Sequence, residues 1–166
     1  KNPAKEAVAG ASVACCQVTD EEVEIIVIGD SFVLYKDDTG FRFLTNFDQA
    51  AFDFEERGNE AFAKCLEQAG GNKGLAWDLY FEYFAEKQFF RANRNIGNGG
   101  HAVLNGNPDL KKCYTIETVS LSGLGWMLLG TDGLLPAKST DPKNRQHLEQ
   151  ELGQLYEKGG LPAVID

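Results

Sequence analysis

No apolar run in this 166-residue chain reaches the ~18 residues that a membrane-spanning helix needs. No spanning role is therefore expected. The N-terminal stretch has no hydrophobic segment of the signal-peptide kind. Methionine is nearly absent. The one residue is Met127, so the chain does not open on an initiator, and it is expected to be a fragment, a processed product or a trimmed form of a longer protein. Positive charge is also scarce. The 16 Lys and Arg stand against 25 Asp and Glu, for a formal net charge of −9. A field of that sign repels phosphate backbones and argues against nucleic-acid binding. It repels a phosphorylated substrate too, unless a bound cation or a local basic patch intervenes. Histidine is limited to His101 and His147, which lack the spacing of metal ligands. There is no G-x-S-x-G nucleophile elbow, and Gly97 to Gly100 lacks the Lys-Ser/Thr of a phosphate-binding loop.

What is present describes an ordinary globular domain. Hydrophobic residues make up 43% and charged residues 25%. The length suits one domain, residues 1–166, with a core that needs no staples. The four cysteines, Cys15, Cys16, Cys65 and Cys113, match neither a zinc pattern nor a redox pair. They read as reduced core thiols, which favours a cytoplasmic protein.

Apolar periodicity then divides the chain. Residues 8–18 are small and apolar, consistent with a strand buried on both faces. Val23 to Ile28 is β-branched and reads as a central strand. Phe32 to Tyr35 and Phe41 to Leu44 follow, with a turn at Asp37-Asp38-Thr39-Gly40, and complete an antiparallel meander. Asn46 with Gln49 has capping-box form. Phe47, Ala51, Phe54, Gly58, Phe62, Cys65 and Ala69 then recur at helical spacing, up to Gly70-Gly71. A second helix runs from about Leu75 to about Asn95, rich in aromatics whose default is packing against a sheet. Strands return as Ala102 to Leu104, Cys113 to Leu121 and Gly125 to Leu129, the last read as buried. Asp141-Pro142 opens a helix striped by Leu148, Leu152, Leu155 and Tyr156. Gly159-Gly160 stops it, and Leu161 starts another turn. Strands, two helices, strands and a helix make an α+β fold, with antiparallel sheets and helices layered outside.

Two strands end alike. Ile25–Ile28 runs into Gly29-Asp30-Ser31, and Trp126–Leu129 runs into Gly130-Thr131-Asp132-Gly133. Asp at a strand end usually only makes a turn. Two such carboxylates on neighbouring strands can instead bind a hard divalent cation, which prefers oxygen ligands.

Thr131-Asp132-Gly133-Leu134 after an apolar strand resembles the (S/T)-D-G-hydrophobic motif of type-2C metal-dependent protein phosphatases. Gly29-Asp30-Ser31, followed by a strand, a turn and a strand, resembles that family's G-D-S-R motif. Residues 93–107 (NRNIGNGGHAVLNGN) are similar to the segment that leads to the second motif in bacterial members. The likeness covers about residues 8–160. It implies a sandwich of two antiparallel sheets flanked by helix pairs, with a Mg²⁺ or Mn²⁺ cluster at one end. It implies a metal-activated water that hydrolyses phosphoserine or phosphothreonine in a phosphoprotein substrate. In that pattern Asp132 matches a ligand of the metal cluster, and Asp30 matches an Asp that contacts a further, weaker metal.

The chain departs from the pattern in four places. Nothing in Lys1–Ala7 matches the Asp-Gly that bridges both core metals. Asp166 stands too early for the family's last Asp motif. Phe32 follows Ser31 where Arg is usual, and Pro136 stands where some members place another Asp. No phosphate-binding Arg can be assigned, and Arg57, Arg91 and Arg94 read as surface residues. The expectation is a phosphatase. Its alternative is a phosphatase-like domain that regulates or binds a partner without catalysis. The sequence does not set the substrate or the oligomeric state.

Overall fold

The computed structural model describes residues 10–46, 49–93, 102–135 and 142–165. Six strands and three helices are described: β1 (Val13–Val18), β2 (Glu22–Ile28), β3 (Phe32–Asp37), β4 (Gly40–Thr45), α1 (Gln49–Gln68), α2 (Lys73–Arg91), β5 (Thr115–Ser120), β6 (Trp126–Gly130) and α3 (Arg145–Ile165). The strands form two three-stranded antiparallel sheets, in the orders β1-β2-β5 and β4-β3-β6. The fold is α+β, as the element order predicts.

One connection differs from the expected meander. β1 and β2 form one hairpin, β3 and β4 another, and each hairpin belongs to a different sheet. The chain crosses between sheets at Gly29-Asp30. Gly29 has φ +74, a region that suits glycine. A Cβ there would also lie 2.7 Å from the Ser12 hydroxyl and 3.1 Å from the Ala102 carbonyl.

The alternation of side chains sorts the interior. Val23, Ile25 and Val27 face Val33 and Tyr35 across the sandwich, with Ala14, Leu44, Val119 and Met127 around them. The other face of β3 presents Phe32 and Leu34 to Leu148 and Leu152 of α3. Gly153 on α3 lets the helix come close, since a Cβ there would lie 2.6 Å from the Phe41 ring. Trp126 completes this layer, 4.5 Å from the Tyr156 ring and 5.9 Å from Phe41 between centroids. The expected stop at Gly159-Gly160 is a break inside α3, with Gly160 at φ 66, ψ −157. On the outer face of β2, Ile28 is covered by Ala102 and Cys113 from the segment before β5.

The helical hairpin is built differently. α1 ends in a glycine cap, where Gly71 N–H donates to the Leu66 carbonyl and Gly70 N–H to Glu67. Asn72 then caps α2 by accepting from Leu75 N–H at 3.2 Å. Ala76 is fully buried and Gly58 is buried. Phe62 meets Trp77 and Tyr80 across the hairpin, at 4.3 and 5.6 Å between centroids. Trp77 and Tyr80 of α2 thus pack against α1, and Trp77 stays 46% exposed. The expectation that they pack against a sheet is not met at Trp77, because Phe62 takes the contact instead.

Two further expectations change. β1 is an edge strand with exposed Cys15, Cys16 and Val18, not a strand buried on both faces. Of the four free thiols only Cys113 is buried and Cys65 half-buried. β6 is half-buried, because it too is an edge. No described helix is long and apolar enough to cross a membrane.

Candidate functional site

The register of the second sheet places the two candidate carboxylates. Phe32 pairs with Gly130 at one end of β3 and β6. Asp30 lies two residues before Phe32, and Asp132 two after Gly130. The same antiparallel register, carried two residues further, would set one opposite the other. Both therefore lie at the end of the sandwich where the chain crosses between sheets. Asp30 is half-buried on the crossover, and Asp132 is exposed at the first position of a 3-10 turn, Asp132–Leu134. That turn is closed by Leu134 N–H to Thr131 and Leu135 N–H to the Asp132 carbonyl. Neither carboxylate has a hydrogen-bond or ionic partner among the described residues.

Ser31, between Asp30 and the start of β3, is fully buried, and its hydroxyl has no partner among the described residues. Its carbonyl accepts from the Thr45 hydroxyl at 3.0 Å, tying β4 to the crossover. Asn46 extends the tie to the first sheet. Its amide donates to the Cys113 carbonyl at 2.6 Å and accepts from Thr115 N–H at 3.1 Å. Both ends of the Asn46 side chain serve this clamp, while the expected helix cap involves residues 47 and 48, which lie outside the described residues.

A chain of asparagines holds the segment beside the site. Asn93, buried with φ 57, donates to the Val103 carbonyl and to the Asn105 side chain, each at 3.0 Å, and accepts from Val103 N–H at 2.8 Å. Asn105 accepts from Asn107 N–H, and Asn107 accepts from Asp109 N–H. An amide side chain carries donors and an acceptor, so it can stand in for a missing strand partner. Leu104 then bridges to Ala11, at the entrance to β1. The glycines of this region mask the asparagines in the sequence. The alternation of Asn105 and Asn107 is the one signal there of the asparagine chain.

The remaining candidates fall elsewhere. His147 is exposed beside Glu151 at 3.9 Å, and Arg57 is exposed. His101, Arg94, Gly97 to Gly100, Pro136, Asp141, Asp166 and Lys1–Ala7 lie outside the described residues, as does the side chain of Arg91. Inside the sandwich, the Tyr35 hydroxyl donates to Glu117 on the facing sheet. Burial, then this carboxylate, hold the phenol well above its ordinary pKa of 10.0. At the β3–β4 turn, the hydroxyl and N–H of Thr39 lower the Asp37 pKa.

These placements bear on cation binding. No group of three or more His, Cys, Asp or Glu among the described residues could hold a metal ion. Asp30 and Asp132 are two oxygen-bearing groups, fewer than a hard divalent cation takes. The described residues therefore do not make a complete metal site.

No protein-family model matches the chain, and no curated protein matches it. Among solved structures, the serine/threonine phosphatase Stp1 from Staphylococcus aureus is similar to it, at 19% identity and a TM-score of 0.43. The match covers 95% of this chain and 48% of that one, so the chain spans about half that phosphatase's length. A score of that size leaves the functional reading to the site's own residues.

Proposed function

We infer that the chain derives from a divalent-metal-dependent protein phosphatase of the 2C type, acting on phosphoserine or phosphothreonine in the cytoplasm. The observation that carries this reading is the common end of the sandwich reached by Asp30 and Asp132. Each follows an apolar strand, in the order and context of two of the family's motifs. Mg²⁺ or Mn²⁺ is the cofactor this reading requires.

The chain's own part in that chemistry is to hold oxygen ligands on rigid backbone. The Gly29 crossover and the 3-10 turn after β6 set the positions of the two carboxylates. Thr45 and Asn46 brace the same end. Two carboxylates do not by themselves complete a hydrolytic centre.

The incomplete ligand set favours a second reading, a phosphatase-like domain that binds or regulates a partner. One experiment tests whether this chain is itself a catalyst. Hydrolysis of p-nitrophenyl phosphate and of a phosphothreonine peptide is measured with and without Mn²⁺, for the chain and for Asp132→Asn. The phosphatase reading expects Mn²⁺-dependent turnover that falls by ~100-fold or more in the variant, the scale of losing a directly acting electrostatic group. Absence of turnover with Mn²⁺ present removes this chain as a catalyst, and the choice between the two readings passes to the intact protein and whether its upstream segment supplies the missing carboxylate.

A further inference from the structure

Asparagine before glycine is a reactive pair. Glycine leaves its amide nitrogen unhindered, and that nitrogen can attack the asparagine side chain and close a five-membered imide. Among the described asparagines, Asn105 is the one followed by Gly. Asn107 precedes Pro108, whose nitrogen has no proton to give up. The others precede Phe, Glu, Lys or Arg, whose side chains crowd the attack.

The fold prepares Asn105 for that attack. Its Oδ1 accepts twice, from the Asn93 amide at 3.0 Å and from Asn107 N–H at 3.1 Å. The second bond spans two residues and brings the carboxamide beside the intervening Gly106 nitrogen. Gly106 has φ +80, a conformation that suits glycine. The first bond comes from a fixed donor. Asn93 is 2% exposed, and Val103 holds both ends of its side chain, at 3.0 and 2.8 Å. Leu104 is fastened as well, by two backbone bonds with Ala11 at 3.1 and 2.9 Å. Two donors on one carbonyl oxygen are the arrangement that stabilises an oxyanion. They polarise the carbon and keep hold of the oxygen as it gains negative charge.

We propose that Asn105-Gly106 is a self-modification site, at which the folded chain converts Asn105 to aspartate or isoaspartate. The Gly106 nitrogen bonds to Cγ of Asn105, and negative charge collects on Oδ1. The Cγ–Nδ2 bond then breaks, and the amide proton of Gly106 leaves with Nδ2 as ammonia. Water opens the imide. Opening at Cγ gives aspartate, and opening at the main-chain carbonyl gives isoaspartate. The two products differ in consequence. Aspartate still accepts from both donors and adds one negative charge to the −9. Isoaspartate routes the main chain through Cγ, which lengthens it and draws Asn107 out of its place. The segment loosened in this way carries Ala102 and Cys113, which cover Ile28 of β2.

The test is peptide mapping by mass spectrometry of the chain held at neutral pH, folded in buffer and unfolded in guanidinium chloride. Enzymatic methylation of isoaspartate separates the two products. Asn105 is expected to convert about 10-fold faster in the folded chain, a modest share of what oxyanion donors give enzymes. Equal or slower conversion in the folded chain overturns the proposal. Asn93→Asp then probes the fixed donor. Aspartate tolerates φ 57 and still accepts from Val103 N–H, but it sets a carboxylate where the donor to Asn105 stood. The variant should keep its circular dichroism and convert no faster folded than unfolded. A folded variant that converts as fast as the parent overturns the role of Asn93. The parent chain's own folded-to-unfolded ratio decides the proposal whether or not that variant folds.

Discussion

α3 and the α1–α2 hairpin are both amphipathic, yet they use their apolar faces differently. α3 buries Leu148 and Leu152 against Phe32 and Leu34 of β3. Among its described residues the hairpin sets Phe62 against Trp77 and Tyr80, and leaves Trp77 and Phe81 about half exposed. Among the described residues, the buried clusters of the sheets contain no α1 or α2 side chain. An apolar stripe thus predicts that a helix packs, but not on what. The partner is decided by fit, and on α3 that fit depends on Gly153 admitting the Phe41 ring.

Substitutions of unequal size test this contrast. The largest effect is expected at Leu152, which is 2% exposed. Leu152→Ala should cost about 2–5 kcal/mol in urea unfolding, from lost burial and the cavity left behind. A cost below about 1 kcal/mol would mean that α3 is no better seated than the hairpin.

Tyr35→Phe comes next, testing the sandwich that α3 covers. It removes the donor to Glu117 and should cost about 1–2 kcal/mol. The pH dependence gives a separate readout. The native phenol keeps its proton above pH 10.0, where the unfolded tyrosine loses it. Its contribution is therefore fully present below that pH and declines as pH rises towards the higher native value. Tyr35→Phe should remove that part of the alkaline decline, measured as the urea midpoint against pH. An unchanged slope would show that the phenol does not govern it.

The smallest effect is expected on the hairpin. Phe81 is 48% exposed, so Phe81→Ser should change stability by about 0.5 kcal/mol or less. A loss approaching that of Leu152→Ala would erase the contrast.

Much of this arrangement is legible in the residues. β-branched Val23 to Ile28 marks the central strand, and Leu148 and Leu152 mark the seated face of α3. Gly70-Gly71 and Gly160 mark helix breaks, because their conformations are unusual for other residues. Asp30 and Asp132 stand out as strand-end carboxylates, and the register supplies their common end of the sandwich. Sheet membership is not legible. A tight turn at Gly29-Asp30 reads the same whether the chain folds back beside β2 or crosses to the other sheet. Edge position is hidden too, since an apolar run such as VACCQV does not reveal how many neighbours it has. The asparagine chain escapes because each Asn is an ordinary loop residue until Asn93 meets Val103 and Asn105.

The chain's two tryptophans divide between the two regions. Trp126 lies against Tyr156 with its indole nitrogen buried and unpartnered among the described residues, while Trp77 is 46% exposed on the hairpin. Their fluorescence should differ in colour, short-wavelength from the dry indole and red-shifted from the wet one. Iodide should quench the second far more than the first. The protein therefore carries two intrinsic dyes, one for each way its helices are held. A hairpin that opens before the sandwich would change the red component first.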